Sequence, residues 1–428
     1  MHWLIKGILT HNTLYSKALS FIKNNGAVFL SQVVVSAGNF LTSIILARAL
    51  GLDSFGYFSA LWLIILISSS VIMASCVFPM MSNFPKQETL NINRYISGNI
   101  LLFLCVIFSI SIVLIVVLFI LSYLDIDINI HLFLSLIATL LAINTQDFFR
   151  RLFITINKPN KALFSDIVTY TFRTLTLFIL WKYSYLDIYN AFYVCTATAF
   201  VGSLLFIKHI PKFDDSNNTL KYVYSINIRS AKWLLPSGLM QWTSINLFIS
   251  MAAFLISPAA VGIIKVCQSL LAVLNILIQG AENIIPLQAS RVFRELNTQA
   301  MWKYLGKVSI LGAVPFILLS IICFFFGANI LTLFFGDVYQ QNGSDVLFIY
   351  SIAYVFVYLI VPLRAGLRTI EKTQIWFQAY IASSLVSLSL VYWLEVNFLS
   401  LGAVIGILIA HIVLITYTVL VLLRLYNR

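Results

Sequence analysis

Charged residues are scarce in this 428-residue chain. They make up 10% of it, whereas hydrophobic residues make up 61% and the mean hydropathy is +0.96. An average soluble protein has about 25% charged and about 45–50% apolar residues, so a soluble globular fold is excluded. Because one bilayer crossing takes about 20 apolar residues, the chain holds roughly twelve crossings and has no room for a large catalytic domain.

Several sequence motifs are also missing. There is no GxxxxGK[ST] phosphate loop, which excludes ATP hydrolysis by that route. The five cysteines lie in apolar stretches without the spacing of a metal site or a disulfide framework. The N-terminus lacks a clean apolar core and a small-residue cleavage site, so we expect residues 1–24 to form a cytoplasmic interfacial segment rather than a removable signal peptide.

The apolar runs predict an all-α membrane protein with both termini on the same side. The predicted helices cover twelve runs, at 25–47, 56–80, 98–122, 131–153, 162–182, 188–207, 232–256, 259–285, 304–326, 345–367, 374–394 and 400–423.

Charge then sets the orientation. With a cytoplasmic N-terminus, 23 of the 27 Lys and Arg residues fall on the cytoplasmic side. The opposite side receives only Arg48 and Lys182, together with seven acids: Asp53, Asp125, Asp127, Asp187, Asp337, Asp345 and Glu395. The positive-inside rule therefore predicts cytoplasmic termini, and the basic excess reflects orientation rather than nucleic-acid binding.

A weak internal repeat divides the chain into two halves. The segment ILARALGLDSFGYFSA aligns with SMAAFLISPAAVGIIKV at an offset of 206, which matches Gly56 to Gly262. FRRLFITINKPNK aligns with LRAGLRTIEKTQI at 214, which matches Arg150 to Arg364. We therefore predict six-helix bundles over 25–207 and 232–428, joined by a cytoplasmic linker at 208–231. An even number of crossings per half relates them by a pseudo-two-fold axis along the membrane normal, a transporter pattern.

Polar side chains inside predicted helices mark candidate functional positions, because such groups usually face a cavity or a partner. The eighth predicted helix carries six on one face: Lys265, Gln268, Asn275, Gln279, Glu282 and Asn283. The first carries Gln32, Ser36, Asn39 and Ser43 at spacings of four, three and four. Both stripes fit either the lining of an aqueous cavity or hydrogen bonds between packed helices.

Three further groups of charges stand out. Arg173 lies near the middle of the fifth predicted helix, with Asp166 seven residues earlier on the same face as its expected counter-ion. Asp147, Arg150 and Arg151 end the fourth helix, and Arg364 and Arg368 end the tenth. These end cations fit either topology anchors or a ring that binds phosphate through planar guanidinium groups.

Two more features have ordinary structural explanations beside functional ones. Tyr350, Tyr354 and Tyr358 form an aromatic stripe that suits packing better than a sugar platform. His411 is a candidate proton site, but a lone histidine is more often a hydrogen-bonded core residue.

The ARALGLDSFGYFSA segment, the RRLFITINKPNKALF block and the layout in two parallel halves resemble the polysaccharide exporters of the multidrug/oligosaccharidyl-lipid/polysaccharide (MOP) superfamily. Among these, the chain is most similar to the Wzx-type O-antigen flippases of Gram-negative bacteria. The resemblance extends over about residues 20–425 and rests on diffuse motifs, of which ARxLGxxxFG is moderately specific. It implies a MATE-like fold, a V-shaped pair of bundles around a cationic central cavity.

The resemblance also implies a function and its setting. Such proteins move an undecaprenyl-diphosphate-linked oligosaccharide from the cytoplasmic to the periplasmic leaflet of the bacterial inner membrane, coupled to an H⁺ or Na⁺ gradient and without a cofactor. A polysaccharide polymerase and a chain-length regulator are the implied protein partners.

Residue roles follow partly from the resemblance and partly from depth and helical face. Arg48, Asp53 and Gly56 are motif positions, with Arg48 structural or gating. We expect six cations to bind substrate: Arg150, Arg151, Arg173, Lys265, Arg364 and Arg368. The cavity amides are Gln32, Asn39, Gln268, Asn275 and Gln279, and the candidate coupling carboxylates are Asp147, Asp166 and Glu282.

Two other functions remain open at this point. A multidrug or cation antiporter of the same fold would need a cavity rich in acids. A membrane enzyme acting on lipid-linked glycans would need a large extramembrane loop with catalytic groups, and the longest outward stretch, about 327–344, has only Asp337 and the nearby Asp345 as charged groups.

Overall fold

A computed structural model describes residues 2–87, 91–123, 129–210 and 218–426, with the backbone alone for residues 2–25. The chain is helical almost throughout these ranges. The helices are α1 (His2–Ile72), α2 (Phe78–Asn83), α3 (Ile92–Tyr123), α4 (Ile130–Thr155), α5 (Pro159–Lys182), α6 (Ile188–Ile207), α7 (Thr219–Leu255), α8 (Pro258–Leu271), α9 (Asn275–Glu295), α10 (Thr298–Phe335), α11 (Gln340–Thr369) and α12 (Thr373–Tyr426). The predicted loop acids Asp125 and Asp127 lie outside the described residues.

The number of crossings agrees with the sequence. Ten apolar helical stretches in the described residues are long enough to span a membrane. Two are double: Gly26–Asn83 is divided at Gly51, where φ is 75° and ψ is 176°, and Thr373–Arg424 is divided at Leu399, where φ is 52°. Ten stretches with two divided give twelve segments, so the chain is a multi-pass membrane protein with the predicted all-α fold.

Lipid contact explains the outward faces of the helices. On α3, which is one of the most apolar helices of the chain, Phe108 is 57% exposed and Phe119 is 77% exposed. Large exposed apolar side chains in such numbers suit a hydrocarbon solvent rather than water. The buried residues form a main core that extends through both halves of the chain.

The internal repeat is visible in the backbone of two equivalent turns. Asn157, after α4, and Glu371, after α11, both have φ of 57°. The amide of Lys158 donates to the carbonyl of Phe153, and the amide of Lys372 donates to that of Leu367 in the same way. Each pair differs by 214 residues, which is the offset of the second sequence match.

The first sequence match corresponds to a contact between the halves. A Cβ added to Gly56 would lie 1.8 Å from the carbonyl oxygen of Pro258, and one added to Gly262 would lie 2.8 Å from that of Leu52. Gly262 follows Gly56 by 206 residues, and Pro258 follows Leu52 by the same number, which is the offset of the first sequence match. Each half therefore presents the same glycine to the same carbonyl position of the other, as a pseudo-two-fold axis requires.

The second part of the predicted linker at 208–231 is helical and belongs to α7. Residues 211–217 lie outside the described residues, but α7 begins at Thr219 and continues into the seventh span. Its first turns pack on α3, where Tyr95 donates a hydrogen bond to Asn227 Oδ1 at 2.8 Å and Asn227 donates to Asn99 at 2.8 Å. The two halves are thus joined by buried amides as well as by the glycine contact.

Candidate transport site

The end of α4 holds a buried polar cluster centred on Arg150. Its Nε donates to Asp166 Oδ2 at 2.9 Å, and Asp166 is fully buried. Ser31 Oγ donates to the same carboxylate oxygen at 2.5 Å, and Gln146 Nε2 donates to the other at 2.9 Å. A buried carboxylate with three donors is well compensated, so α1, α4 and α5 are fastened together at this point.

Arg150 has further partners closer to solvent. Its Nη1 lies 3.3 Å from Asp147 Oδ1, and its Nη2 donates to Gln32 Oε1 at 3.0 Å. Arg151 Nε donates to the second oxygen of Asp147 at 2.9 Å, and about a third of each of these two side chains is exposed. Five predicted site residues therefore meet in one cluster: Gln32, Asp147, Arg150, Arg151 and Asp166.

The predicted pairing of Asp166 with Arg173 is wrong. Arg173 is 3% exposed, its Nε donates to Thr198 Oγ1 of α6 at 3.3 Å, and its guanidinium lies 4.9 Å from the ring centre of Tyr170. Seven residues put two side chains on one helical face but separate them by about 10 Å along the axis, too far for contact. Among the described residues, Arg173 has no carboxylate partner.

In the second half, the polar stripe of α8 and α9 faces α11. Lys265 Nζ donates to Gln268 Oε1 at 2.8 Å. Gln268 lies beside the phenol of Tyr350, and Asn275 lies beside that of Tyr354. Both tyrosines are buried, so the tyrosine stripe packs inside the bundle. The stripe residues thus lie against α11 while they remain partly exposed, so the two interpretations of the stripe are not exclusive.

The other end of the stripe carries an ion pair. A three-residue 3₁₀ turn, Ala272–Leu274, separates α8 from α9. Beyond it, Gln279 is half-buried, and Glu282 accepts a hydrogen bond from Arg364 of α11. Arg368 lies one turn further along α11 and is exposed, while the Asn283 side chain is outside the described residues.

Two arginines at equivalent positions of the repeat each pair with a carboxylate, but the carboxylates come from helices that the repeat does not relate. Arg150 ends α4 and pairs with Asp166 of α5. Arg364, its equivalent at an offset of 214, pairs with Glu282 of α9.

Asn39 is exposed on α1 and makes no hydrogen bond to any residue that the structure describes. The two amides predicted on α1 therefore differ, since only Gln32 belongs to the Arg150 cluster.

The opposite end of the molecule is closed by contacts between the halves. Arg48 Nε donates to the carbonyl of Phe334 at 2.8 Å, and its Nη2 donates to that of Leu333 at 2.5 Å. Tyr339 donates its phenol proton to the carbonyl of Ala47 at 3.1 Å. Burial raises the pKa of this phenol, so it stays a donor at neutral pH. Asp53 is exposed nearby. The motif residues Arg48 and Gly56 thus both lie at the junction of the halves.

One acid that the sequence assigns to the outward-facing side is buried. Glu395 lies four residues before the break in α12 at Leu399, and its side chain is completely buried. Both of its carboxylate oxygens lack a hydrogen-bond partner among the described residues.

His411 is a core residue whose Nδ1 lies 2.7 Å from the carbonyl of Ile407. In the described part of the chain, no three His, Cys, Asp or Glu residues group as a metal site would require.

Comparison with known proteins gives a match in structure but not in sequence. No protein-family model matches the sequence, and no curated protein does. An inward-facing MATE multidrug resistance transporter of the MOP superfamily matches with a TM-score of 0.72 at 12% identity, over 94% of this chain and 99% of that one. The chain has the MOP transporter fold.

Other solved MOP structures agree. The lipid II flippase MurJ, in an inward closed conformation, gives a TM-score of 0.66 at 14% identity over 94% of this chain and 87% of its own. An outward-facing MATE transporter gives 0.64 at 14% identity over 95% of both chains. These MOP neighbours are transporters and flippases rather than enzymes. At identities of 12–14% these structures show the fold of this chain but not its substrate.

Proposed function

We propose that this protein flips an undecaprenyl-diphosphate-linked oligosaccharide, an O-antigen repeat unit, from the cytoplasmic to the periplasmic leaflet of a bacterial inner membrane. The charge pairing of the site carries the proposal. Its three carboxylates are all paired with arginine: Asp147, Asp166 and Glu282. Three of its six cations have no carboxylate partner among the described residues: Arg173, Lys265 and Arg368. The predicted binding residues taken together therefore carry more positive than negative charge.

A diphosphate suits this surplus better than other substrates do. Phosphate oxygens accept hydrogen bonds from guanidinium and ammonium groups, and arginine can bind two of them at once. Sugar hydroxyls pair with amides such as Gln268 and Asn275. The named function of one structural neighbour, a lipid II flippase, shows that the MOP fold can serve a lipid-linked substrate.

Transport by alternating access gives the closed end a role. In the proposed cycle, an H⁺ or Na⁺ gradient drives the halves apart at Arg48 and Gly56 after the substrate has entered beside Arg150 and Arg364. Asp147, Asp166 and Glu282 are the candidate coupling groups. In this orientation both termini face the cytoplasm, and a polysaccharide polymerase with its chain-length regulator uses the delivered glycan.

Multidrug export is the second candidate, supported by the TM-score of 0.72 to a MATE transporter. A cationic drug would need an unpaired acid on its path. The acids of the predicted site are already paired, which favours the anionic substrate.

The test uses proteoliposomes that contain undecaprenyl-diphosphate oligosaccharide from the host. We expect protein-dependent exposure of the glycan to an external glycosidase, faster with an imposed pH or Na⁺ gradient. A parallel assay follows ethidium efflux as the cationic drug. Efflux without glycan movement would overturn the flippase proposal and favour drug transport, and movement of neither by folded protein would contradict both.

A further inference from the structure

An open cavity lies away from the Arg150 cluster, at the end where Arg48 and Tyr339 join the halves. Its volume is about 470 Å³, within the range of roughly 300–1,000 Å³ typical of small-ligand sites. Both halves line it, with Arg48 and Trp181 from the first and Gly336, Asp337 and Tyr339 from the second.

Two opposite charges line this cavity without pairing to each other. Arg48 uses Nε and Nη2 on the carbonyls of Leu333 and Phe334, which leaves Nη1 available. Asp337 is exposed and accepts no hydrogen bond from any residue that the structure describes. A donor and an acceptor at separate places on the wall can both be satisfied by a ligand that lies between them.

An indole completes the lining. Trp181 is half-buried at the end of α5 and makes an edge contact with Phe178, with 6.1 Å between ring centres. Its N–H has no partner in the described part of the chain. Indole combines a flat apolar face with one donor, so it favours ligands that are amphipathic in the same way.

The lining selects the charge and chemistry of the ligand. Arg48 and Asp337 carry opposite charges, so the lining has no net charge and favours a ligand without net charge. Hydroxyl groups can donate to the carboxylate and accept from the guanidinium. The apolar face of a sugar ring can pack on the indole. We propose that this cavity binds a sugar ring of a neutral glycan. The source of the sugar rests on the proposed function, since this end then faces the periplasm, where the flipped glycan arrives.

Binding here has a conformational consequence. The cavity exists only while the two halves are in contact, so a bound sugar stabilises the state that is closed at this end. The delivered glycan, or the next one in the periplasm, would thereby favour the return of the carrier to the state that loads at the other end.

The experiment measures binding of free sugars to the purified full-length protein in nanodiscs without glycolipid. The neutral probes are glucose, galactose and N-acetylglucosamine, and the charged probes are glucuronate and glucosamine. We expect neutral sugars to bind at least ten times more tightly than charged ones. They should also slow hydrogen exchange of the amides at 47–51 and 332–339.

Matched variants locate the site. Asp337→Asn and Trp181→Leu should each weaken binding at least tenfold. Asp345→Asn and Trp233→Leu, an exposed acid and an exposed indole outside the cavity lining, should leave binding unchanged. Absence of neutral-sugar binding, a preference for the charged sugars, or equal effects in both sets of variants would overturn the proposal.

The same variants separate this inference from the proposed function. Flipping of the lipid-linked oligosaccharide is measured with them in proteoliposomes that contain no free sugar. If flipping occurs but free sugars do not bind, the cavity proposal fails alone. If sugars bind but no lipid-linked glycan moves, the flippase proposal fails, and the ligand is a soluble sugar. Inhibition of sugar binding by glycolipid placed in the nanodisc identifies the lipid-linked source.

Discussion

The carboxylate of Asp166 accepts a hydrogen bond from Nε of Arg150 in the neighbouring helix α4 at 2.9 Å, and it does not pair with Arg173 of its own helix. The pair is almost completely buried, with side-chain exposures of 0% and 8%. It fixes α5 to α4 near one end of the first half. It also leaves Arg173 free of any carboxylate among the described residues, so the middle of α5 is the more electropositive part of this helix.

The first prediction concerns this pair. Asp166→Asn should destabilise the protein by up to about 3–5 kcal/mol, because it removes the buried carboxylate partner of Arg150 and leaves only the longer, partly exposed contact with Asp147. Glu295→Gln is the matched control. It breaks an ion pair with Arg291 whose side chains are 52% and 59% exposed, and should leave the stability almost unchanged. Unfolding in nanodiscs measures both, and equal losses would show that burial of the Asp166 pair contributes nothing.

The second prediction concerns the glycine contact. Gly56→Ala would place a methyl group 1.8 Å from the Pro258 carbonyl, so this end should separate. Hydrogen exchange at 47–56 and 258–262 should rise, and transport should fall. Gly280→Ala, where nothing lies within 4 Å, should change neither. Unchanged exchange in Gly56→Ala would mean that the halves adjust without opening.

The third prediction concerns the polar links at the same end. Tyr339→Phe removes one hydrogen bond, worth about 0.5–1.5 kcal/mol, and Arg48→Ala removes two. Each should raise the population that is open at this end, and the double variant should do so more. The readout is hydrogen exchange at 332–339. Lys182→Ala, an exposed cation near this end, is the control, and an equal response to it would refute a specific link.

The fourth prediction concerns the unpaired cations. Lys265→Met and Arg173→Met should each abolish glycan flipping while the protein still inserts and folds, because neither breaks an ion pair. Arg291→Met, which removes an exposed cation at the end of α9, should retain flipping. The proteoliposome assay gives the comparison. Normal flipping by either site variant would remove that residue from the anion path.

The fifth prediction concerns Glu395. A buried carboxyl group without hydrogen bonds costs free energy, so Glu395→Leu should raise the thermal stability of the protein. Glu395→Gln keeps the size of the side chain but still buries a polar group without hydrogen bonds. The glutamine variant should therefore be less stable than the leucine variant. A lower stability for Glu395→Leu would mean that this carboxyl group has a favourable role in the fold.

The architecture was predictable because hydropathy and span length alone define crossings. All twelve predicted helices correspond to helical segments, and the two weak repeats correspond to equivalent turns and contacts. The exact ends were not predictable where the chain turns abruptly. Leu399 interrupts α12 with φ of 52° although no glycine or proline stands at this position, so the sequence does not show that Glu395 still belongs to the preceding helix.

The site was predictable in its residues but less so in their partners. Helical periodicity correctly placed Asp147 with Arg150 and Arg151 on one turn of α4. It could not show that Asp166 reaches across to Arg150, because the crossing of two helices depends on packing far from both residues. Ser31 and Gln146 were missed for the same reason. Small and amide side chains are common in membrane helices, so neither residue stands out in the sequence.

The reciprocal contact of Gly56 with residue 258 and of Gly262 with residue 52 has an evolutionary consequence. It is an isologous contact, the kind that two identical subunits make across a two-fold axis. A six-helix protein with one such glycine could have formed it as a homodimer before the gene was duplicated and fused. Expressing residues 1–210 and 218–428 as separate chains would then recreate, as a heterodimer, the interface from which the present single chain arose.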